Sequence, residues 1–220
     1  MTIAIVGGTG PQGSGIGLRL ALAGEEVILG SRDADKARAE ADRLTAEHSP
    51  EGRLSGTGNA EAAERAETVI LAVPYRGHDE LVTALAPVLA GKLVISCVNP
   101  LSFDKLGPVG AEIPDKSAAE EAARILTAST VAGAFHHLSA VTLHWVDHDL
   151  SHEDVLVCGD DTAAKAEVMR LAGKVTGGRA IDVGALRLAR HLEPFTAVLI
   201  SVNKRYKTNA SVSLTGIRKE

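Results

Sequence analysis

The chain has 220 residues, 45% of them apolar and 23% charged, with a formal net charge of −5. This length suits one compact domain, or one domain with a small addition, and the apolar share is enough for a sizeable core; disorder, collagen-like repeats and small disulfide scaffolds are excluded. An acidic chain with scattered Lys and Arg lacks the basic footprint of a nucleic-acid binder, and no apolar run reaches the roughly 20 residues of a membrane span.

Thr2–Val6 is a continuous apolar run, so a strand is expected to lead straight into Gly7-Gly8-Thr9-Gly10-Pro11-Gln12-Gly13. A helix should follow from 12 to 23, ended by Gly24, and 27–30 should form the second strand. Ser31-Arg32-Asp33 supplies N-cap residues for a charged helix reaching about residue 47. Weak strand character near Leu54, a short helix at 59–66 and a strand at 68–73 come next, the last stopped by Pro74. Residues 77–89 predict a helix, 93–96 a strand, 98–115 an irregular loop, 116–126 a helix and 130–135 a strand. Residues 136–153 carry little pattern. Val155–Gly159 predicts a strand before a helix capped at Asp160 or Asp161; 179–183 is a strand, 185–204 a long amphipathic helix, and the polar tail has some β-character. Short strands alternating with Ala-rich helices predict an α/β fold: a Rossmann-type, doubly wound, mostly parallel sheet with a small C-terminal α/β addition, divided as 1–150 and 151–220.

Cys97 and Cys158 form neither a CxxC pair nor a disulfide framework and read as buried small hydrophobes in a reducing compartment. The N-terminus has no signal-peptide pattern, so a soluble cytoplasmic protein is expected.

Gly8-x-Gly10-x-x-Gly13 sits between a strand and a helix, the context that promotes three spaced glycines to a dinucleotide fingerprint. Gly8 is assigned the tight turn, Gly10 the close approach of a pyrophosphate and Gly13 helix–strand packing, with phosphates on the free N–H groups of the helix start. After the second strand, where an NAD-preferring chain places an acid, stand Ser31 and Arg32, with Lys36 one turn later. Arg grips a phosphate bidentately and Ser or Thr donates to it, so the expected ligand is NADP(H), with Thr9 adding a hydroxyl. Asp33 remains as an alternative acid that would suit NAD.

Ligands of open α/β sheets bind beyond the carboxyl ends of the strands. Those ends carry Pro74-Tyr75-Arg76, Val98-Asn99-Pro100-Leu101 and His136-His137-Leu138-Ser139-Ala140. They make a flat, mainly apolar wall, with no paired carboxylates and no Ser-His-Asp order. Such a wall suits hydride transfer between two rings, which needs proximity and exclusion of water more than an acid or base.

Several stretches are more particular: Ile5-Val6-Gly7-Gly8-Thr9-Gly10, Gly30-Ser31-Arg32, Ala72-Val73-Pro74-Tyr75, Val157-Cys158-Gly159-Asp160-Asp161, Asp182-Val183-Gly184-Ala185-Leu186 and Arg190-His191-Leu192-Glu193-Pro194. Through them almost the whole chain resembles the F420H2:NADP⁺ oxidoreductase (NADPH-dependent coenzyme F420 reductase) family, and the tail from Tyr206 to Ile217 resembles its actinobacterial branch. The resemblance implies reversible, direct hydride transfer between C4 of NADP(H) and C5 of the deazaflavin coenzyme F420. It implies that Gly8, Thr9, Gly10, Pro11, Gln12 and Gly13 cradle the dinucleotide, and that Ser31, Arg32 and Lys36 hold its 2′-phosphate. It further implies that Val73, Pro74, Tyr75, His78, Val98, Asn99, Pro100, His136, Leu138 and Ala140 line the cofactor cleft, with Pro74, His136 and Leu138 nearest the chemistry. His137 and Ser139 stand where smaller residues are expected.

Two competing readings stay open: an NADPH-dependent reductase of a small imine or carbonyl, whose proton donor would have to come from His136-His137, and a non-catalytic NADP(H) sensor. His144, His148 and His152 recur every four residues, but their segment lacks helical periodicity and no metal is expected. Leu188, Leu192, Phe195, Leu199 and Val202 form one stripe on the last helix, which suits core packing and a homodimer interface. Arg190 and Glu193 are candidates for an ion pair on that helix.

Overall fold

The computed structural model describes residues 1–217 and is built on an eight-stranded sheet. Its first half runs β1 (Thr2–Val6), α1 (Pro11–Leu22), β2 (Glu26–Ser31), α2 (Ala34–His48), β3 (Leu54–Gly58), α3 (Asn59–Arg65), β4 (Thr68–Leu71), α4 (His78–Leu89) and β5 (Leu93–Ser96). A separate antiparallel hairpin follows, β6 (Leu101–Asp104) with β7 (Gly107–Gly110). The alternation resumes with α5 (Ala118–Ile125), β8 (Thr130–Gly133), α6 (Ala140–His144), β9 (Val155–Gly159), α7 (Thr162–Thr176) and β10 (Ala180–Gly184). A 3-10 turn, Leu186–Leu188, leads into α8 (Ala189–Tyr206).

The strand order is β10-β9-β8-β5-β4-β1-β2-β3. All neighbours are parallel except β8 and β9, where Ala132 faces Gly159 and Gly133 faces Cys158. This is the doubly wound α/β arrangement expected from the alternation, and β9 and β10 extend the same sheet beyond β8. Central strands covered on both faces must be apolar at nearly every position, which is why β1, β4 and β5 read as unbroken Val, Ile and Leu runs. One core lies under α1, α2 and α7, around Ile3, Ile5, Leu18, Leu20, Leu29 and Leu171. The other lies under α3, α4 and α5, around Val6, Ile28, Val69, Leu71, Val82 and Ala122.

The chain leaves β1 toward β2 on one side and later returns to β4 on the other, so a crevice opens between their carboxyl ends. That switch point is where doubly wound sheets bind ligands.

Four segments depart from expectation. Residues 98–115 contain the β6–β7 hairpin, closed by Asp104, whose carboxylate accepts from Leu106 N (2.7 Å) and Gly107 N (3.1 Å), with Gly107 at φ +127°. The patternless segment after 136 contains α6, held by Arg19 of α1, which donates to the carbonyls of Thr142, Leu143, Val146, Trp145 and His148. The last helix begins at Ala189, because the preceding residues form the 3-10 turn anchored by Asp160, which accepts from Leu186 N at 3.0 Å. Residues 208–217 hold no strand; Asp154 ties them down, donating its N–H to Val212 O (2.8 Å) and accepting from Leu214 N (2.6 Å). Residues 218–220 of the tail lie outside the described residues. No helix of the described residues is long and apolar enough to cross a membrane.

Candidate functional site

The turn after β1 is shaped by contacts that glycine alone allows. Gly7 sits at φ +81°, and a Cβ there would stand 2.5 Å from Ala72 O and 2.7 Å from Val73 Cγ1. The left-handed turn residue is therefore Gly7, a correction to its assignment to Gly8. Gly8 is demanded by packing instead: its Cβ would meet Ile5 O at 2.9 Å and Leu29 Cα at 3.0 Å. Gly13 packs α1 against the turn, 2.8 Å from Gly7 O by the same construction. Gly10 differs from all three. Its backbone (φ −77°, ψ 155°) suits any residue, and a Cβ would touch only Gly7 O, at 3.4 Å. Nothing inside the protein requires glycine there.

Gly10 is also the N-cap of α1, with Pro11 at the first helical position and no side chain capping the helix start. The N–H groups of Gln12 and Gly13 precede any i−4 partner within the helix, which leaves the positive end of the helix dipole next to Gly10 at the cleft. Gln12 spends its side chain elsewhere, donating to Phe135 O at 3.2 Å.

A cleft of about 600 Å³ opens here, lined by Gly7, Thr9, Gly10, Ser31, Arg32, Asn59, Ala72, Val73, Pro74, Arg76, Gly77, Glu80 and Leu81. Ser31 is the last residue of β2, and its hydroxyl accepts from Asp33 N at 3.2 Å. Asp33 caps α2, its carboxylate accepting from Asp35 N and Lys36 N. The acid that would suit NAD is thus occupied by the helix start. Lys36 is not among the cleft residues; it is solvent-exposed, with Nζ 3.9 Å from Asp33.

Asn59, at the start of α3, was not singled out by sequence. Its Oδ1 accepts from Gly7 N at 3.2 Å and so supports the glycine turn. The only signal was its position as first polar residue after the Gly-rich β3. Glu80, on the first turn of α4, was likewise missed, whereas the sequence places Arg76 only among the residues that follow the fourth strand.

Beyond β4, Val73 and Pro74 line the cleft, but Tyr75 and His78 turn away from it. The Glu121 carboxylate of α5 accepts from Tyr75 OH at 2.8 Å and lies 2.6 Å from His78 Nδ1, and the two rings stack at 5.9 Å. His78 is fully buried, so its reading as a cofactor contact is corrected: it is half of a clamp on the β4–α4 turn. Burial and the bond to Glu121 push the Tyr75 phenol well above its ordinary range. Glu193 of α8 in turn accepts from Ala118 N (2.8 Å) and Ala119 N (3.0 Å) at the start of α5. Burial pushes its carboxyl up to about 8, against those two N–H groups. Arg190 pairs with Glu120 rather than with Glu193.

The exits of β5 and β8 meet at one carbonyl: His136 O accepts from Asn99 Nδ2 (3.0 Å) and from Thr196 Oγ1 of α8 (2.9 Å). Asn99 Oδ1 is buried without a partner, an acceptor left over. Val98 and Pro100 are buried, and Ala140 starts α6. The His136 imidazole does not reach the cleft. It is 3% exposed, neither ring nitrogen has a partner, and burial followed by the neighbouring His137 depresses its pKa to about 3. Leu138 is buried beside it, both packed on residues 154–156 with no room for a water between. Direct contact of these two side chains with a reacting ring is therefore corrected, because the β8 exit folds them into the core. His137 Nε2 lies 2.9 Å from Leu192 O, and burial lowers its pKa as well.

The spaced histidines share no face: His144 Nε2 lies within reach of Ser14 Oγ and Pro11 O, His148 stacks on Trp145, and His152 lies beside Asp149. Both cysteines are free and buried.

Residues 2–100 match the family described as NADP oxidoreductase, coenzyme F420-dependent. An F420-dependent NADP reductase of Methanothermobacter marburgensis is 40% identical over 223 residues, covering 99% of each chain. One from Methanocaldococcus jannaschii is 37% identical over 224 residues, covering 99% of this chain and 97% of that one. A crystal structure from Arthrobacter sp. FB24, provisionally assigned as an F420-dependent NADP reductase, superposes with a TM-score of 0.83 at 29% identity, covering 98% of this chain and 99% of the other. With identity on this scale running from end to end, the chain belongs to the F420-dependent NADP reductase family.

Proposed function

We propose that the chain exchanges a hydride directly and reversibly between NADP(H) and coenzyme F420, with the dinucleotide lying in the crevice between β1 and β4. The observation that carries this reading is Gly10. The protein has no internal need for glycine at that position, yet it borders the cleft at the uncapped start of α1, where a pyrophosphate must approach the backbone closely. In this reading Thr9, Ser31 and Arg32 hold the 2′-phosphate while the first-turn N–H groups hold the pyrophosphate. Val73 and Pro74 give one ring a dry wall. When bound, NADPH would supply a hydride from C4 and F420 would receive it at C5, with the proton that completes the reduced deazaflavin at N1 coming from solvent. The protein contributes position, charge at the phosphates and exclusion of water, and these suffice when no proton has to be delivered by a side chain.

The same geometry weighs against an imine or carbonyl reductase. Such an enzyme needs a proton donor, and His136, the sequence candidate, is buried and held neutral, while His137 is bound to Leu192 O.

In this reading a second copy of the chain covers the exposed apolar residues Leu106 of the hairpin and Val198 and Tyr206 of α8, which border one cleft. The free, buried cysteines accord with a reducing cytoplasm. Mixing the protein with NADPH and oxidised F420 tests the reading. Loss of the deazaflavin's visible absorption, dependent on both components, supports it; NADPH oxidation only with an imine or carbonyl, or binding without turnover, contradicts it.

A further inference from the structure

We propose that Arg76 is the second cation of the 2′-phosphate site, reaching the dinucleotide from the wall opposite Arg32. The inference rests on the NADP(H) reading above and adds a residue to it. Arg32 is the first residue beyond β2, Arg76 lies on the turn between β4 and α4, five residues beyond Leu71, and β1 lies between these two strands in the sheet. The two side chains therefore border the cleft from different walls. Both arginines line the same cleft, both are exposed, and neither is paired with a carboxylate among the described residues. Elsewhere the chain pairs its guanidinium groups freely, as at Arg43, Arg124, Arg170 and Arg179.

Charge arithmetic calls for a second cation. A phosphate monoester carries nearly two negative charges at neutral pH, and Glu80 adds another to the cleft. Arg32 alone leaves most of this uncompensated, and Lys36 lies outside the cleft beside Asp33. The backbone that presents Arg76 is fixed in advance. Tyr75 and His78 bracket Arg76-Gly77, both are bound to Glu121, and His78 N donates to Tyr75 O at 2.9 Å. Binding therefore has to order only the Arg76 side chain, which keeps its entropic cost small.

The alternative use of Arg76, stacking on adenine, would serve NADH and NADPH equally. The test is calorimetric titration of wild type, Arg76→Gln, Arg76→Lys and Arg32→Gln with each nucleotide, with melting curves as a folding control. Arg76→Gln is expected to raise the Kd for NADPH about tenfold while that for NADH stays within twofold, and Arg76→Lys to recover part of the loss. Equal losses for the two nucleotides, or no loss in Arg76→Gln while Arg32→Gln abolishes the preference for NADPH, would overturn the role of Arg76 alone. A wild type that binds NADH as tightly as NADPH would instead overturn the NADP(H) reading beneath it.

Discussion

Replacing Gly10 and Gly7 separately by alanine divides ligand binding from folding within one turn. At Gly7 an alanine must hold φ +81°, which costs roughly 1–2 kcal/mol. It must also place Cβ 2.5 Å from Ala72 O, so backbone has to move. A total of about 3 kcal/mol lowers the melting temperature of a chain this size by about 6–12 °C. At Gly10 the backbone is ordinary and the methyl meets only Gly7 O at 3.4 Å, so Gly10→Ala should melt within about 2 °C of wild type or slightly above it. With a dinucleotide in the crevice, however, that methyl stands where the pyrophosphate approaches. Losing one charge-assisted N–H bond costs about 1.5–3 kcal/mol, or roughly ten- to a hundredfold in the Kd for NADPH. Calorimetric titration and thermal melts of both variants measure the two effects. A Gly10→Ala variant that binds NADPH like wild type, or melts as low as Gly7→Ala, would refute the reasoning.

Acid stability provides a second check, through His136. Its folded pKa is depressed to about 3 against 6.5 for an ordinary histidine, so its contribution is fully present above pH 6.5 and is lost as the pH falls toward 3. Glu153 and Glu193, pushed up to about 7 and about 8 by burial, act oppositely: the stability they contribute is present below about 4.5 and lost as the pH rises. The difference between wild type and His136→Gln isolates the histidine. Chemical denaturation should show wild type losing about 2–3 kcal/mol more than the variant between pH 6.5 and 4.5, and parallel curves would contradict its burial as a neutral group. Glu121→Gln should lower stability by about 1–3 kcal/mol, because either the buried His78 or the half-buried Tyr75 then faces an amide N–H. A melting temperature unchanged within a degree would mean that the clamp on the β4–α4 turn is not strained by that loss.

The legible parts of the sequence were those encoded locally. The apolar run of β1, the spaced glycines and Pro11 lie within a dozen residues, and together they announce strand, turn and helix start. Ser31 and Arg32 were equally visible, because the end of β2 lies at a fixed distance from that turn. What stayed hidden depends on partners distant in sequence. His78 resembles a cleft residue until Glu121, 43 positions later, folds beside it. His136 follows a strand, as a ligand contact would, yet Phe135 before it takes φ +65° and both residues are buried. The β6–β7 hairpin carries Ser102, Phe103 and Asp104 exposed in succession, so no alternation marked it as a pair of strands. Gly7 and Gly8 could not be told apart without the positions of Ala72 and Leu29, which set the two different demands.

Isotope transfer tests direct exchange between the two rings most severely. NADPH carrying deuterium on the transferable C4 position is incubated with the protein and oxidised F420 in ordinary water, and the reduced deazaflavin is examined by mass spectrometry and NMR. Direct transfer places the label at C5 of the product without dilution by solvent protons. Label recovered in water, or reduced F420 bearing only solvent hydrogen, would contradict a cleft that brings the two rings together and keeps water out.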